Sequence, residues 1–287
     1  MKKRMMCLLM AMLMTCSMVI SASAATYESA ASMGSSYEGK NILSDGTVVE
    51  NDAIVLRNED DVREMIEMDG EAYDREYAMK ASKIDPQLKR DFETFVSENK
   101  NASATTYDEV VSDFIEEYPE YINENIKDDI VTLQSNVTVD LVRDFYIGNG
   151  YNIALALFNH SLTAKPAKAY LDMIGNTGGI YNDIRVQLTQ KYDFVTQMIN
   201  FSRKGSSYET NTTKDYVFDK INTDMYWAIH KFEWKRTRTL YNKAYFKIID
   251  IYDFAGGPVI FGVVASMAGT HDFDVEIYGL VQNGVLK

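Results

Sequence analysis

At 287 residues the chain can form one or two domains with a sizeable core, and its formal charge is −13; that charge gathers in the first half, which repels phosphate polymers and anionic lipid, so nucleic acid is not an expected partner there. Its two cysteines, Cys7 and Cys16, both fall in a leader expected to be removed. The mature chain is therefore read as having no disulfide, no thiolate metal ligand and no cysteine nucleophile.

The leader opens with Met1-Lys2-Lys3-Arg4, continues with an apolar run over 8–20 and ends in Ala22-Ser23-Ala24. This is the pattern of a secretory signal peptide over 1–24, cleaved before Ala25. The run is shorter than the roughly 20 residues that a membrane span needs, and no basic stop-transfer segment follows. Lipid attachment at Cys16 fits less well, because Thr15 precedes the cysteine and the apolar run continues past it. The expected destination is the cell envelope or the exterior, with no transmembrane segment in the mature chain.

Loss of Lys2, Lys3 and Arg4 takes the formal charge to −16, and that charge is unevenly spread. Residues 26–140 hold 28 acids against 10 bases, whereas 141–287 hold 14 against 16. Three regions are expected after the leader: a flexible or extended segment over 25–57, in which 46–57 reads as a short strand or an extended arm, an acidic helical module over 58–137, and an α+β C-terminal domain over 138–287.

In the acidic module, Asn58-Glu59-Asp60-Asp61 suits a helix start, with Val62, Met65, Ile66, Tyr73 and Tyr77 as its stripe. Asp85-Pro86 starts a second helix, with Leu88, Phe92, Phe95 and Val96 on one side. Thr106-Tyr107-Asp108-Glu109 is a capping box ahead of Val110, Val111, Phe114, Ile115 and Tyr118. After Pro119, the residues Ile122, Ile126, Ile130 and Leu133 predict a further helix with one apolar edge.

In the C-terminal region two helices are expected, over 138–145 and 152–162, broken at Gly148-Asn149-Gly150. The second is apolar all round and reads as a central buried helix. Pro166 is read as opening a helix through Tyr170 and Ile174, and a long helix is predicted over 180–203, with Gly205 closing it. A short helix or turn at 224–229 is followed by a change of period to two. Phe232 and Trp234 alternate with charges in a strand, 236–239 is the expected connection, and 240–253 a long strand. A short buried helix over 258–267 and a half-buried strand over 272–278 complete the pattern. The fold class is α+β: a mostly helical body followed by a small antiparallel sheet of about three strands.

Candidates for chemistry are few. The three histidines, His160, His230 and His271, form no His-Glu-x-x-His pattern, and no Walker loop, dinucleotide fingerprint or nucleophile elbow is present. No cofactor and no metal are expected. The strongest cluster is Asp224, Trp227, His230, Asp250, Tyr252 and Asp253. Three residues apart on one strand, Asp250 and Asp253 face opposite ways, so neither is the other's acid–base partner. One of them could instead orient His160 or His230 for acid–base work. Asp224, Trp227 and Tyr252 are the candidate ligand contacts. Lys231, Lys235, Arg236, Arg238, Lys243 and Lys247, interleaved with Trp234 and Tyr241, are compatible with an anionic surface or polymer, but the preferred reading is a solvated strand face that pairs with the acidic half of the chain, tethered nearby.

The run Asp224-Met225-Tyr226-Trp227-Ala228-Ile229-His230-Lys231-Phe232, the strand ending Asp250-Ile251-Tyr252-Asp253-Phe254, and the upstream helix with Ala154, Phe158 and His160 together resemble C-terminal domains of uncharacterised exported bacterial proteins, some of them at the tails of toxin-like secreted chains. The resemblance spans about 138–279 and departs from the pattern at His230, where glycine is expected. It implies a secreted α+β domain and carries no activity with it. The expected function is thus a binding or interaction module at or outside the envelope, with a protein or envelope component as partner. The alternative is an exported toxin-like hydrolase using His160 or His230 with Asp250 or Asp253.

Overall fold

A computed structural model describes residues 42–98, 107–122, 126–176, 179–190, 196, 198, 200, 216–218, 223–229, 231–240, 242–253 and 268–287. Among them are seven α-helices and seven strands, an α+β arrangement with a mostly helical body and a C-terminal sheet. The leader, the capping box at Thr106, the closing Gly205 and the apolar stretch over 258–267 lie outside the described residues.

Strand β1 (Ile54–Leu56) leads through Arg57 into helix α1 (Glu59–Ala81). The polar start read from the sequence fixes that boundary. Asn58 Oδ1 accepts the amides of Asp60 and Asp61 at 2.8 and 3.0 Å, and the three acids of the first turn favour the positive end of the helix dipole. Helix α2 (Pro86–Glu98) starts behind Asp85, whose Oδ1 accepts the Gln87 amide at 2.6 Å. With α3 (Tyr107–Glu117) and the first half of α4 (Ile126–Asn149), it closes one apolar cluster around Phe92, Phe95 and Phe114.

The helices expected separately after Pro119 and over 138–145 are one helix, α4. No proline or glycine interrupts 126–147, so the backbone carries on while the stripe changes partner. Ile126, Ile130 and Leu133 face the α2–α3 cluster, whereas Val139, Val142 and Tyr146 face the core under the sheet. The break comes at Gly150, with a φ of 71°. Helix α5 (Asn152–Ser161) follows and is buried at every position from Ile153 to Ser161, as its all-apolar pattern requires.

The stretch read as a helix after Pro166 is instead strand β2 (Ala169–Asp172). Buried on both faces, it has no alternation, and a short apolar run of that kind has no period to separate strand from helix. It pairs parallel to β1 on one side and parallel to β6 (Phe273–Gln282) on the other. The sheet order is β1-β2-β6-β5-β4-β3, with β4 (Lys231–Leu240), β5 (Lys243–Tyr252) and β6 as its three long antiparallel strands. β3 (Tyr216–Val217) and β7 (Val285–Leu286) are short additions. The connection expected at 236–239 lies inside β4, where the register slips between Arg236 and Arg238. Thr237 is the extra residue there, and the strand expected from Leu240 begins at Lys243.

Helix α6 (Asn182–Gln190) starts the predicted long helix; beyond it Thr196, Met198 and Asn200 are helical. Helix α7 (Asp224–Ala228) precedes β4. The main core lies between the inner face of the sheet and α1, α4 and α5. On the outer face, Leu43, Val49 and Ala53 of the arm over 42–53 pack on Val55, Tyr170 and Tyr278. Among the described residues no helix is long and apolar enough to cross a membrane.

Candidate functional site

His160, on α5, is 4% exposed. Its Nδ1 lies 2.9 Å from Asp69 Oδ2 on α1, its Nε2 lies 2.9 Å from the Ala167 carbonyl, and the Phe273 ring meets it edge-on at 4.8 Å. With both nitrogens facing fixed acceptors, the ring has no free position for a substrate proton. The contact belongs to a polar seam between α1, α4 and α5. Asn159 Nδ2 donates to the Ile66 carbonyl at 3.1 Å, and Arg143 donates to Asn159 Oδ1 at 2.8 Å and to Asp74 Oδ1 at 2.7 Å. Gly70 lets the helices approach there, since a Cβ would stand 3.1 Å from Asn159 Nδ2.

Asp250 sits on the inner face of β5 opposite Val275. Burial pushes its carboxyl up to about 7; nearby Asp253 acts in the same direction, and the Ile251 amide opposes both. Asp253, just beyond the strand and exposed, is also raised, by desolvation and then by Asp272. Asp224 caps another element: its two carboxylate oxygens accept the Ile153 and Ala154 amides at 2.8 and 2.7 Å, at the start of α5. Trp227 is 8% exposed and packs against Phe145 and Tyr226, with ring centroids at 4.9 and 5.6 Å. Tyr252 stacks on Phe273, the ring that His160 also touches.

The predicted residues therefore fall into two places. His160 and Tyr252 share Phe273 at the end of β5, where Asp250 and Asp253 also lie, and Asp224 and Trp227 surround the start of α5. The carboxylate on His160 is Asp69, which the sequence reading passed over. His230 lies outside the described residues. Asp69 does leave a trace in the sequence, because it interrupts the stripe of Val62, Met65, Ile66 and Tyr73 at helical spacing. An acid on an apolar stripe asks for a buried partner.

A cleft of about 380 Å³ opens elsewhere, at the carboxyl ends of the parallel strands β1 and β2. Crevices at this end of parallel strands are where open α/β sheets hold ligands. Arg57, Asn58, Glu59 and Asp60 wall it where β1 turns into α1; Asn176, Gly179 and Ile180 wall it where β2 leads towards α6. Gly179 has a φ of 62°, and the Glu59 carboxylate occupies the space that a side chain there would need.

Tyr181 completes the lining, and charged groups gather behind it. Asp172, fully buried, accepts the Ser44 amide and hydroxyl at 2.8 and 2.7 Å, and Arg57 Nε stands 3.9 Å away. Asp61 accepts the Arg57 amide at 2.8 Å. Arg185 Nη2 donates to the Met173 carbonyl at 3.1 Å, while its Nη1 is buried with no acceptor among the described residues. Tyr181 donates its hydroxyl to the Leu56 carbonyl. Burial drives that hydroxyl well above its ordinary pKa, Asp172 and Asp61 add to the effect, and Arg185 and Arg57 oppose it. Two guanidinium groups and two carboxylates thus gather around Tyr181, which lines the cleft with Arg57, an arrangement suited to orienting a polar ligand. Among the described residues no group of three or more His, Cys, Asp or Glu is placed to hold a metal ion. Asn176, Arg57 and Asp172 had no motif to mark them, because the cleft is made by strands distant in sequence.

Comparison of the chain with protein-family models, with curated proteins and with solved structures gives no match.

Proposed function

We propose that this is an exported binding protein, acting at or beyond the cell envelope, that holds a small zwitterionic or peptide-like ligand in the cleft at the ends of β1 and β2. The observation that carries this reading is the open cleft lined by both signs of charge, with charged groups gathered behind Tyr181. Glu59 and Asp60 suit a ligand amine, and Arg57 and Asn176 suit a carbonyl or carboxylate. The likeness of the 224–254 stretch to exported bacterial domains supports the location. The test is calorimetric titration of amino-acid derivatives and short peptides into wild type and Asn176→Leu. Saturable binding that the variant loses, with its thermal midpoint kept, supports the proposal. Equal binding by both proteins would remove the cleft from the account.

One observation favours the hydrolase reading. A carboxyl at about 7, as on Asp250, can give and take a proton near neutrality. Under that reading Asp250→Asn abolishes turnover of a peptide or glycan substrate, and unchanged turnover would discard it.

A further inference from the structure

The outer face of β4 and β5 carries an arrangement that stability alone disfavours. Lys235 stands directly opposite Lys247, and like charges across an antiparallel pair are destabilising. The bulge at Thr237 then turns Arg238 outward, opposite Tyr245, while Arg236 stays on the inner face opposite Phe246. Lys243 and Lys247 flank Tyr245 along β5, so four cations surround one ring. The Arg238 guanidinium lies 4.4 Å over that ring and donates to the Asp45 carbonyl at 3.0 Å.

Compensation by acids is partial, from Glu276, from Glu233 beside Lys235 and from Asp45 near Arg238 and Tyr278. Lys247 and Lys168 both donate to Oε1 of Glu276, at 2.9 and 2.7 Å, so two ammonium groups share one carboxylate oxygen. Burial opposes ionisation of Glu276, yet its bonds from Lys168, Lys247 and Tyr278 outweigh burial and hold the carboxyl below its ordinary range. Among the described residues Lys235 and Lys243 form no ion pair. Glu233, paired with Ile249, stands two residues from Lys235 on the same face, and Asp274, paired with Ile251, lies farther along the hairpin.

We propose that this face binds a flexible anionic polysaccharide, whose carboxylate, sulfate or phosphate groups meet Lys235, Arg238 and Lys243. The site is separate from the cleft and does not depend on what the cleft holds. Charge complementarity selects an anion, and the surface selects the kind of polymer. Tyr245 is 8% exposed beneath Arg238 and Tyr278 is buried, so bases of a single-stranded nucleic acid find no stacking platform. Leu240 and Ile251, the exposed large apolar side chains of the two strands, stand near opposite ends of the hairpin and offer a bilayer no continuous apolar face.

The test uses the full secreted chain with heparin and alginate as probes, in parallel with single-stranded DNA and anionic vesicles. Wild type is expected to bind one or both polysaccharides with an affinity that falls as salt rises. The triple variant Lys235→Gln/Arg238→Gln/Lys243→Gln should bind at least about tenfold more weakly, with a shallower salt dependence and a thermal midpoint no lower than that of wild type. Lys80→Gln/Lys127→Gln, on helices distant in the fold, should bind as wild type does. Absence of binding at low salt, equal binding by the triple variant, or binding confined to DNA or to vesicles overturns the proposal. If the triple variant unfolds, the single Lys235→Gln decides in the same way, because it also relieves the repulsion with Lys247.

Discussion

Asp250→Asn separates the charge of a buried carboxyl from its shape. In the folded chain burial and Asp253 push this carboxyl up to about 7, against an ordinary value of 3.8. At about 1.4 kcal/mol per tenfold change in proton affinity, ionising Asp250 in the folded protein costs about 4 kcal/mol more than in the unfolded chain. Between those two values the folded protein keeps a proton that the unfolded chain releases. Stability contributed by this group is therefore fully present below pH 3.8 and is lost as pH rises through about 7. The amide never ionises, so wild type and variant should match near pH 4 and diverge towards pH 8. The variant is then more stable by up to about 4 kcal/mol, an upper bound because water reaches this partly exposed group. Urea unfolding of both proteins across this range, with equal m-values, measures the difference directly. Parallel stability curves from pH 4 to 8 would refute the reasoning, since they would show a carboxyl that pays no desolvation penalty.

Other substitutions probe the frame around the sites. Gly279 lies beneath the Phe246 ring of the neighbouring strand, where a Cβ would run into the ring. Gly279→Ala should cost about 1–3 kcal/mol by overpacking, and Phe246→Leu in the same chain should recover part of it, as denaturant midpoints will show. Asp224→Ala removes both acceptors from the α5 amides and should cost about 1–2 kcal/mol, with faster amide exchange at Ile153 and Ala154. Asp69→Ala leaves His160 Nδ1 buried without its acceptor and should cost about 1–3 kcal/mol; a loss no greater in Asp69→Ala/His160→Ala than in His160→Ala would confirm that the two act as a pair.

The helical body was legible because its information is local. Asn58, Asp85 and the stripes of α1, α2 and α3 each carry a start signal or a period within a dozen residues, and the continuous apolar run of α5 announced a buried helix. β1 was legible only as a short strand or an extended arm, and β2 not at all, for a physical reason. Each is three or four residues long and buried, with no alternation to read, and their partners are remote: Ile54 pairs with Ala169, and Leu171 with Ile277. The cleft exists only because those strands pair, so it was hidden for the same reason. The lysine face was half visible. The basic residues of β4 and β5 stood out, but the bulge at Thr237 changes the phase of the strand, and only the fold shows that Arg236 and Arg238 face opposite ways. His160 could be singled out as a residue, whereas its partner lies 91 positions away on a different helix.

Amide and side-chain chemical-shift mapping of the full chain, titrated with a mixture of short peptides, tests the binding-protein account most directly. The account predicts that shifts centre on Arg57, Asn176 and Ile180 and that the peptides survive intact. Shifts centred on Asp250 and Asp253, with cleavage of the peptides, would contradict it and identify a hydrolase.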